Sequence, residues 1–418
     1  MNASNPLPQV NQYLRKHQLM PLQIEACPAP DLNCVVVIPC RDEPDVLETL
    51  ISLSACNTPN CCVEILLVIN SAADASAEER SQNIRSAAQA RQFAQSEHCP
   101  QWLRVWVLEF ANLEPQQAGV GLARRLGMDE AVARLDRVAA QNGIIVGLDA
   151  DCRVASNYFE ALLEHFHTQP KTNACSIYYE HPLSGGAAPE VYRAITEYEL
   201  YLRYFRRGLV TARYPYAYHT VGSCMAVRSR AYQSCGGMNK RQAAEDFHFL
   251  SKLMLQGGYS DLFTTTVFPA ARPSHRVPFG TGHAVAKRLR EPSLLVYAPE
   301  VFEAIGELVC AVESWAQQGT VELRKISTQY FNALGLEDRL KEIRQHTASA
   351  QGFSKRLYRW LNPLCIVKYA NYLSSVHYPR IPILDAAQRL LDNTAPVELP
   401  DSDKVSWLLA QYRGLERP

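Results

Sequence analysis

Short, continuous apolar runs alternate with amphipathic stripes through the first 150 residues of the chain. The run 34–39 (CVVVIP) is β-branched and unbroken, the pattern of a strand buried on both faces. It stops at the polar Arg41, Asp42 and Glu43. A 3.6-residue stripe follows, with Val46, Leu47, Leu50, Ile51 and Leu53 on one side, and predicts a helix. Further strands are predicted at 63–69 (VEILLVI), 104–108 (RVWVL) and 144–148 (IIVGL), and further helices at 76–96 and 121–141. Hydrophobic strands alternating with helices imply an α/β fold, a mostly parallel sheet flanked by helices. Ligands of such sheets sit outside the carboxyl ends of the strands. Three of the four ends are polar: Arg41-Asp42-Glu43, Asn70-Ser71 and Asp149-Ala150-Asp151.

The second half is less regular. It predicts an aromatic, basic helix at 187–207, strands at 219–228 and 264–268, a helix at 245–255, and an almost purely helical pattern from about 292. The expected organisation is a lead-in at 1–32, an α/β domain at 33–290 and a helical C-terminal appendage at 291–418.

Composition narrows the function. Lys plus Arg and Asp plus Glu are 42 each, so the formal net charge is zero and a general nucleic-acid binder is not expected. The 13 cysteines are odd in number, scattered and without a CxxC pair, which points to free thiols in a reducing compartment. Neither a signal peptide nor a membrane-spanning stretch is expected. The expected location is cytoplasmic. The basic and aromatic stretch 355–361 (KRLYRWL) is the one candidate for peripheral contact with the inner face of a membrane. A helix packed on the protein, with its cations snorkelling outward, is the simpler reading of that stretch.

Four features carry candidate chemistry. Asp149 and Asp151, two residues apart at a strand end, offer hard oxygens to Mg²⁺ or Mn²⁺, with substrate phosphates filling other positions. A plain strand-end turn explains them equally well. Glu245 and Asp246 open a helix, where carboxylates favour the dipole but an Asp can also serve as a general base. Gly222 and the pair Gly236-Gly237 allow close backbone approach or simple turns. His275, with Arg272 and Arg276, offers a metal ligand and phosphate-binding cations.

In this order, the features resemble the family 2 glycosyltransferases of GT-A (Rossmann-like) fold, over residues 33–283. Residues 35–43, with Pro39, Arg41 and Glu43, look like the family's opening strand and nucleotide-contacting loop. Residues 121–127 (GLARRLG), which include Arg124, look like the segment preceding its DxD strand, here Asp149-Ala150-Asp151. The stretch from Gly222 through Gly236-Gly237 to Glu245-Asp246 looks like the one ending in its ED motif. The resemblance implies Asp151 on a divalent metal, Mn²⁺ or Mg²⁺. It puts Asp149 on the ribose or donor sugar and makes Asp246 the catalytic base beside Glu245. It allows His275 at the metal or diphosphate and Arg276 on the phosphates.

The implied reaction is inverting transfer from a nucleotide-diphosphate sugar, UDP- or GDP-linked, to a hydroxyl of a glycan, a lipid-linked or a small-molecule acceptor. The chain departs from the family's pattern at Asn70, where an Asp-rich turn is usual; Asn70, expected at the nucleotide, can hydrogen-bond its base but adds no charge, which leaves nucleotide preference open. It departs again at Arg125, where Asn is usual. The Gln-x-x-Arg-Trp motif of processive members is not evident, which favours single transfer.

Rival readings fare worse. A dinucleotide oxidoreductase needs a third glycine where Arg124 stands after Gly119 and Gly121. An Asp-nucleophile phosphatase needs a hydroxyl where Arg153 stands. A sugar-phosphate nucleotidyltransferase needs a glycine-rich loop where 40–44 (CRDEP) has none. A catalytically inactive, partner-binding scaffold remains as the alternative, against which stands the presence of both acidic motifs.

Overall fold

The computed structural model describes residues 11–239, 244–272, 281–291, 293–392 and 403–417. The chain forms two compact units. The first takes in the described residues up to Pro182 together with Thr220–Ala270. The second takes in Leu183–His219, Ala271, Arg272 and the described residues from Thr281 onward. This division differs from an uninterrupted domain at 33–290. The segment 183–219 clusters with the C-terminal helices, because helix Pro189–Thr211 buries Leu200, Tyr204 and Leu209 among them.

The first unit is built on one eight-stranded sheet. Its strands are β1 (Leu32–Cys40), β2 (Cys62–Ala72), β3 (Leu103–Leu113), β4 (Ile144–Gly147), β5 (Arg153–Val154), β6 (Ala174–Tyr179), β7 (Met225–Arg228) and β8 (Tyr259–Phe268). The order is β3-β2-β1-β4-β7-β6-β8-β5. Pairing is parallel except at β4–β7, β7–β6 and β8–β5. The expected α/β class holds: a mostly parallel sheet with helices against it. Central strands are buried on both faces; Val35, Val36, Val37, Ile38, Leu66, Leu67 and Val68 have no measurable exposure. That explains why their runs are continuous rather than alternating.

Two strands, β5 and β6, lie in 152–186, where the apolar pattern is too short to announce them. The strand expected at 219–228 is shorter, because residues 222–223 form a turn before β7 begins at Met225.

Register positions the site. Gly147 of β4 pairs antiparallel with Met225 of β7, so the chain leaving β4 lies beside the chain entering β7. A side chain at Gly147 would sit 2.7 Å from the Gly222 carbonyl oxygen and 2.7 Å from Met225 Cε, so the close approach requires glycine there. The sequence order of strands reverses where β1 meets both β2 and β4, the position at which α/β sheets open a crevice.

The second unit is helical, with a small antiparallel pair of Leu295–Val296 and Ile381–Pro382. In helix Ala350–Trp360, Phe353 and Leu357 are buried while Lys355, Arg356 and Arg359 are exposed, as a packed helix with outward cations requires. Asn362 caps the next helix, Pro363–Val376, by accepting from the Cys365 amide, and Pro363 occupies its first turn. No helix among the described residues is long and apolar enough to cross a membrane.

Candidate active site

Helix Val120–Arg137 lies almost wholly buried against β1 and β2, with Gly127 set directly on Val37 and Val68. It carries Arg124 to the carboxyl end of the sheet, where the side chain is 4% exposed. One guanidinium nitrogen donates to Asp149 Oδ1 at 2.5 Å, and the other donates to Glu245 Oε1. Two motifs nearly a hundred residues apart thus meet on one cation. Burial works against that cation, but Asp149, Glu245 and Asp246 outweigh it and raise the Arg124 pKa above its ordinary value.

The guanidinium lies on the Gly222 backbone. A β-carbon at Gly222 would stand 2.6 Å from Arg124 Cζ and 2.7 Å from Nη2. The Gly222 amide donates to Asp246 Oδ2 at 3.1 Å, and the Phe247 amide donates to Asp246 Oδ1 at 2.7 Å. Asp246 is therefore oriented by both oxygens. Burial raises its pKa, with Arg124 opposing, and burial likewise raises that of Glu245 against the pull of Arg124. Both carboxylates stand in the first turn of helix Glu245–Gln256. The chain enters that helix through Ala244, held in the left-handed region at φ 56°, where a β-carbon is disfavoured.

Asp149 is 38% exposed and Asp151 half-buried on the turn leaving β4. Thr49, from helix Val46–Ser54, donates to the carbonyl of the intervening Ala150 at 2.9 Å and fixes that turn. Divalent ions of the Mg²⁺ type take hard oxygens and need few from the protein. Asp149 Oδ1 is engaged by Arg124, and Asp151 stands two residues further along the same turn. Among the described residues no three His, Cys, Asp or Glu side chains gather as a complete metal cage.

The other candidates fall in several places. Pro39 is half-buried at the end of β1. Arg41 pairs bidentately with Glu79, both contacts 3.0 Å. Glu43 is buried and accepts from the Asp45 amide at 3.0 Å. Asn70, expected to face a nucleotide base, is instead 2% exposed, and its amide donates to the Gly119 carbonyl at 2.8 Å. It anchors the entry to the Arg124 helix. His275 and Arg276 lie outside the described residues. Sequence reading missed Thr49 and Arg125, whose hydrogen bonds to distant backbone carbonyls leave no local pattern.

Residues 144–291 match the family model described as Glycosyl transferase family group 2. That stretch of the chain is similar to the family 2 glycosyltransferases. That segment contains Asp149, Asp151, Gly222, Glu245 and Asp246. No curated protein sequence matches the chain. Among solved structures, S. aureus TarS 1-349 in complex with UDP-GlcNAc is 14% identical with a TM-score of 0.41, covering 82% of this chain and 91% of that one. The mannosyltransferase PcManGT from Pyrobaculum calidifontis, in complex with GDP-Man and Mn²⁺, is 17% identical with a TM-score of 0.36, covering 84% and 93%. Glucosyl-3-phosphoglycerate synthase from Mycobacterium tuberculosis, with Mn²⁺, UDP-glucose and phosphoglyceric acid, is 13% identical with a TM-score of 0.33, covering 63% and 83%.

Proposed function

We propose that this glycosyltransferase moves a single sugar from a nucleotide-diphosphate sugar to an acceptor hydroxyl with inversion, using Asp246 as general base. The supporting observation is the Arg124 bridge. It ties Asp149, on the donor side, to Glu245, the neighbour of the base, while Asp246 is fixed on the Gly222 amide.

In the proposed step the acceptor oxygen bonds to the anomeric carbon as the bond from that carbon to the diphosphate oxygen breaks, and the acceptor proton passes to Asp246. A base with a raised pKa is better matched to that transfer near neutral pH than an ordinary carboxylate. Asp149 would meet the ribose or donor sugar, and Asp151 would hold Mn²⁺ or Mg²⁺. Such an ion supplies charge neutralisation to the departing diphosphate. Arg124, buried and fixed, sets the spacing between the two carboxylate groups and adds preorganised positive charge beside them. Pro39, Arg41 and Glu43 at the end of β1 would border the nucleotide. All thirteen cysteines are free, which favours a reducing, cytoplasmic setting.

The test is a calorimetric screen of UDP, GDP, CDP and dTDP, with and without Mn²⁺. One nucleotide should bind with metal only. Asp151→Ala should abolish that binding, and Asp246→Asn should keep it while losing transfer. Binding of none of them would instead support a partner-binding scaffold.

A further inference from the structure

Helix Val120–Arg137 sends its two adjacent arginines to different places. Arg124 goes to the acidic groups, and Arg125 goes to a turn. The buried Arg125 Nε donates to Asp129 Oδ2 at 2.8 Å, one helical turn further on. Nη1 donates to the carbonyls of Gly236 at 2.8 Å and Met238 at 2.9 Å, and Nη2 donates to the carbonyl of His17 at 2.9 Å. A planar guanidinium can hold these partners at once, whereas a single ammonium cannot match the fork.

Asp129 is held in turn. Its Oδ1 accepts from the hydroxyls of Tyr13, at 2.7 Å, and Tyr232, at 2.8 Å. Tyr13 lies in the short N-terminal helix Gln12–His17, which Asn11 caps. The gripped turn is left-handed at both Gly236 (φ 75°) and Gly237 (φ 73°). A β-carbon on Gly237 would land on the Tyr13 hydroxyl and 2.7 Å from Arg125 Cζ. From the other side Lys252, on helix Glu245–Gln256, donates to the Gly237 carbonyl at 2.8 Å. The turn is thus tied both to the helix bearing Arg124 and to the helix that opens with Glu245 and Asp246.

We propose that Arg125, Asp129, Tyr13 and Tyr232 form a positioning unit that sets Glu245 and Asp246 against Asp149 through the 236–238 turn. The N-terminal residues 11–18 then belong to the catalytic support rather than to a passive lead-in. The proposal rests on the reading of Asp246 as the base. None of the four touches substrate; they act through the turn.

Full-length Arg125→Lys and Tyr13→Phe proteins test it by hydrogen exchange and steady-state kinetics. Arg125→Lys should speed amide exchange in 236–239 and 244–249 while leaving β1 and β4 protected. It should lower kcat roughly 10- to 100-fold, the scale of a 1 Å misplacement, with donor KM within about threefold of wild type. Tyr13→Phe removes one hydroxyl and should shift both readouts the same way by less; it carries the test alone if Arg125→Lys does not fold. Added guanidinium should partly restore kcat to Arg125→Ala.

Unchanged exchange at 236–239 and 244–249, exchange rising throughout the first unit, or kcat falling in parallel with nucleotide affinity would each overturn the proposal. Absence of sugar transfer by the wild-type protein would instead refute the proposed reaction, and the exchange arm would still decide whether the unit holds the turn.

Discussion

Substituting Gly222 by alanine isolates the contact on which the site is built. Gly222 is not in the left-handed region, so alanine brings no backbone strain of its own. The added methyl would stand 2.6 Å from Arg124 Cζ where ordinary contact begins at 3.4 Å, a shortfall of about 0.8 Å. Arg124 cannot swing into solvent, being buried and held at both ends by Asp149 and Glu245. Either the guanidinium withdraws and weakens charge-assisted hydrogen bonds worth roughly 1.5–3 kcal/mol each, or the β7 approach shifts at an overpacking cost of about 1–3 kcal/mol.

The expected loss of stability is about 3 kcal/mol, seen as a Tm lowered by roughly 6–12 °C. kcat should fall on the order of 100-fold as Asp246 loses its placement on the Gly222 amide. The assay is calorimetric unfolding of wild type, Gly222→Ala, Arg124→Ala and the double variant, with transfer rates measured alongside. Once Arg124 is gone the methyl has room, so the Gly222→Ala cost should drop below about 1 kcal/mol in that background. A Gly222→Ala protein with wild-type Tm and rate, or one whose penalty is undiminished in the Arg124→Ala background, would show that the Gly222–Arg124 contact does not build the site.

Three further outcomes follow from the same structure. The Asp246 pKa is raised in the folded protein, so its ionised form appears only above the ordinary aspartate value near 3.8, and the acid limb of kcat/KM against pH should lie above that value. The same shift favours the protonated folded state, so this group's contribution to stability declines as pH rises from the unfolded value through the folded one. In the second unit, burial opposes the Glu416 carboxylate but His219, Arg203 and Arg206 outweigh it and hold its pKa down at about 2. Its contribution, about 3 kcal/mol, is present above the ordinary value of 4.5 and lost as pH falls toward 2; the Tm gap between wild type and Glu416→Gln should therefore close between about pH 5 and pH 2. Finally, Gly127→Ala would drive a methyl to 2.8 Å from Val68 Cγ2 and against Val37, costing about 1–3 kcal/mol by calorimetry without altering nucleotide affinity.

The elements that the sequence alone determined are those whose burial is written locally. The runs 34–39, 63–69 and 144–148 become strands β1, β2 and β4, because a strand covered on both faces must be apolar at every position. Their polar ends, and the order of DxD before ED, already marked where chemistry belongs. Tertiary structure decided what those residues do to one another. Arg124 and Glu245 lie 121 positions apart and meet only because β7 runs antiparallel to β4 in a register that lays Gly222 beside the chain leaving Gly147. Asn70 looked free to meet a base, yet packing turned it onto the Gly119 carbonyl. Arg125 stood out in the sequence only as a departure from the family's usual Asn; in the fold its fork closes on Gly236, Met238 and His17. Helix Pro189–Thr211 read as part of the α/β domain but buries its apolar face among the C-terminal helices. Hydrophobic period is a property of neighbouring residues and survives in one dimension. A hydrogen bond to a backbone carbonyl a hundred positions away asks nothing of the carbonyl's own side chain, so only the folded chain reveals it.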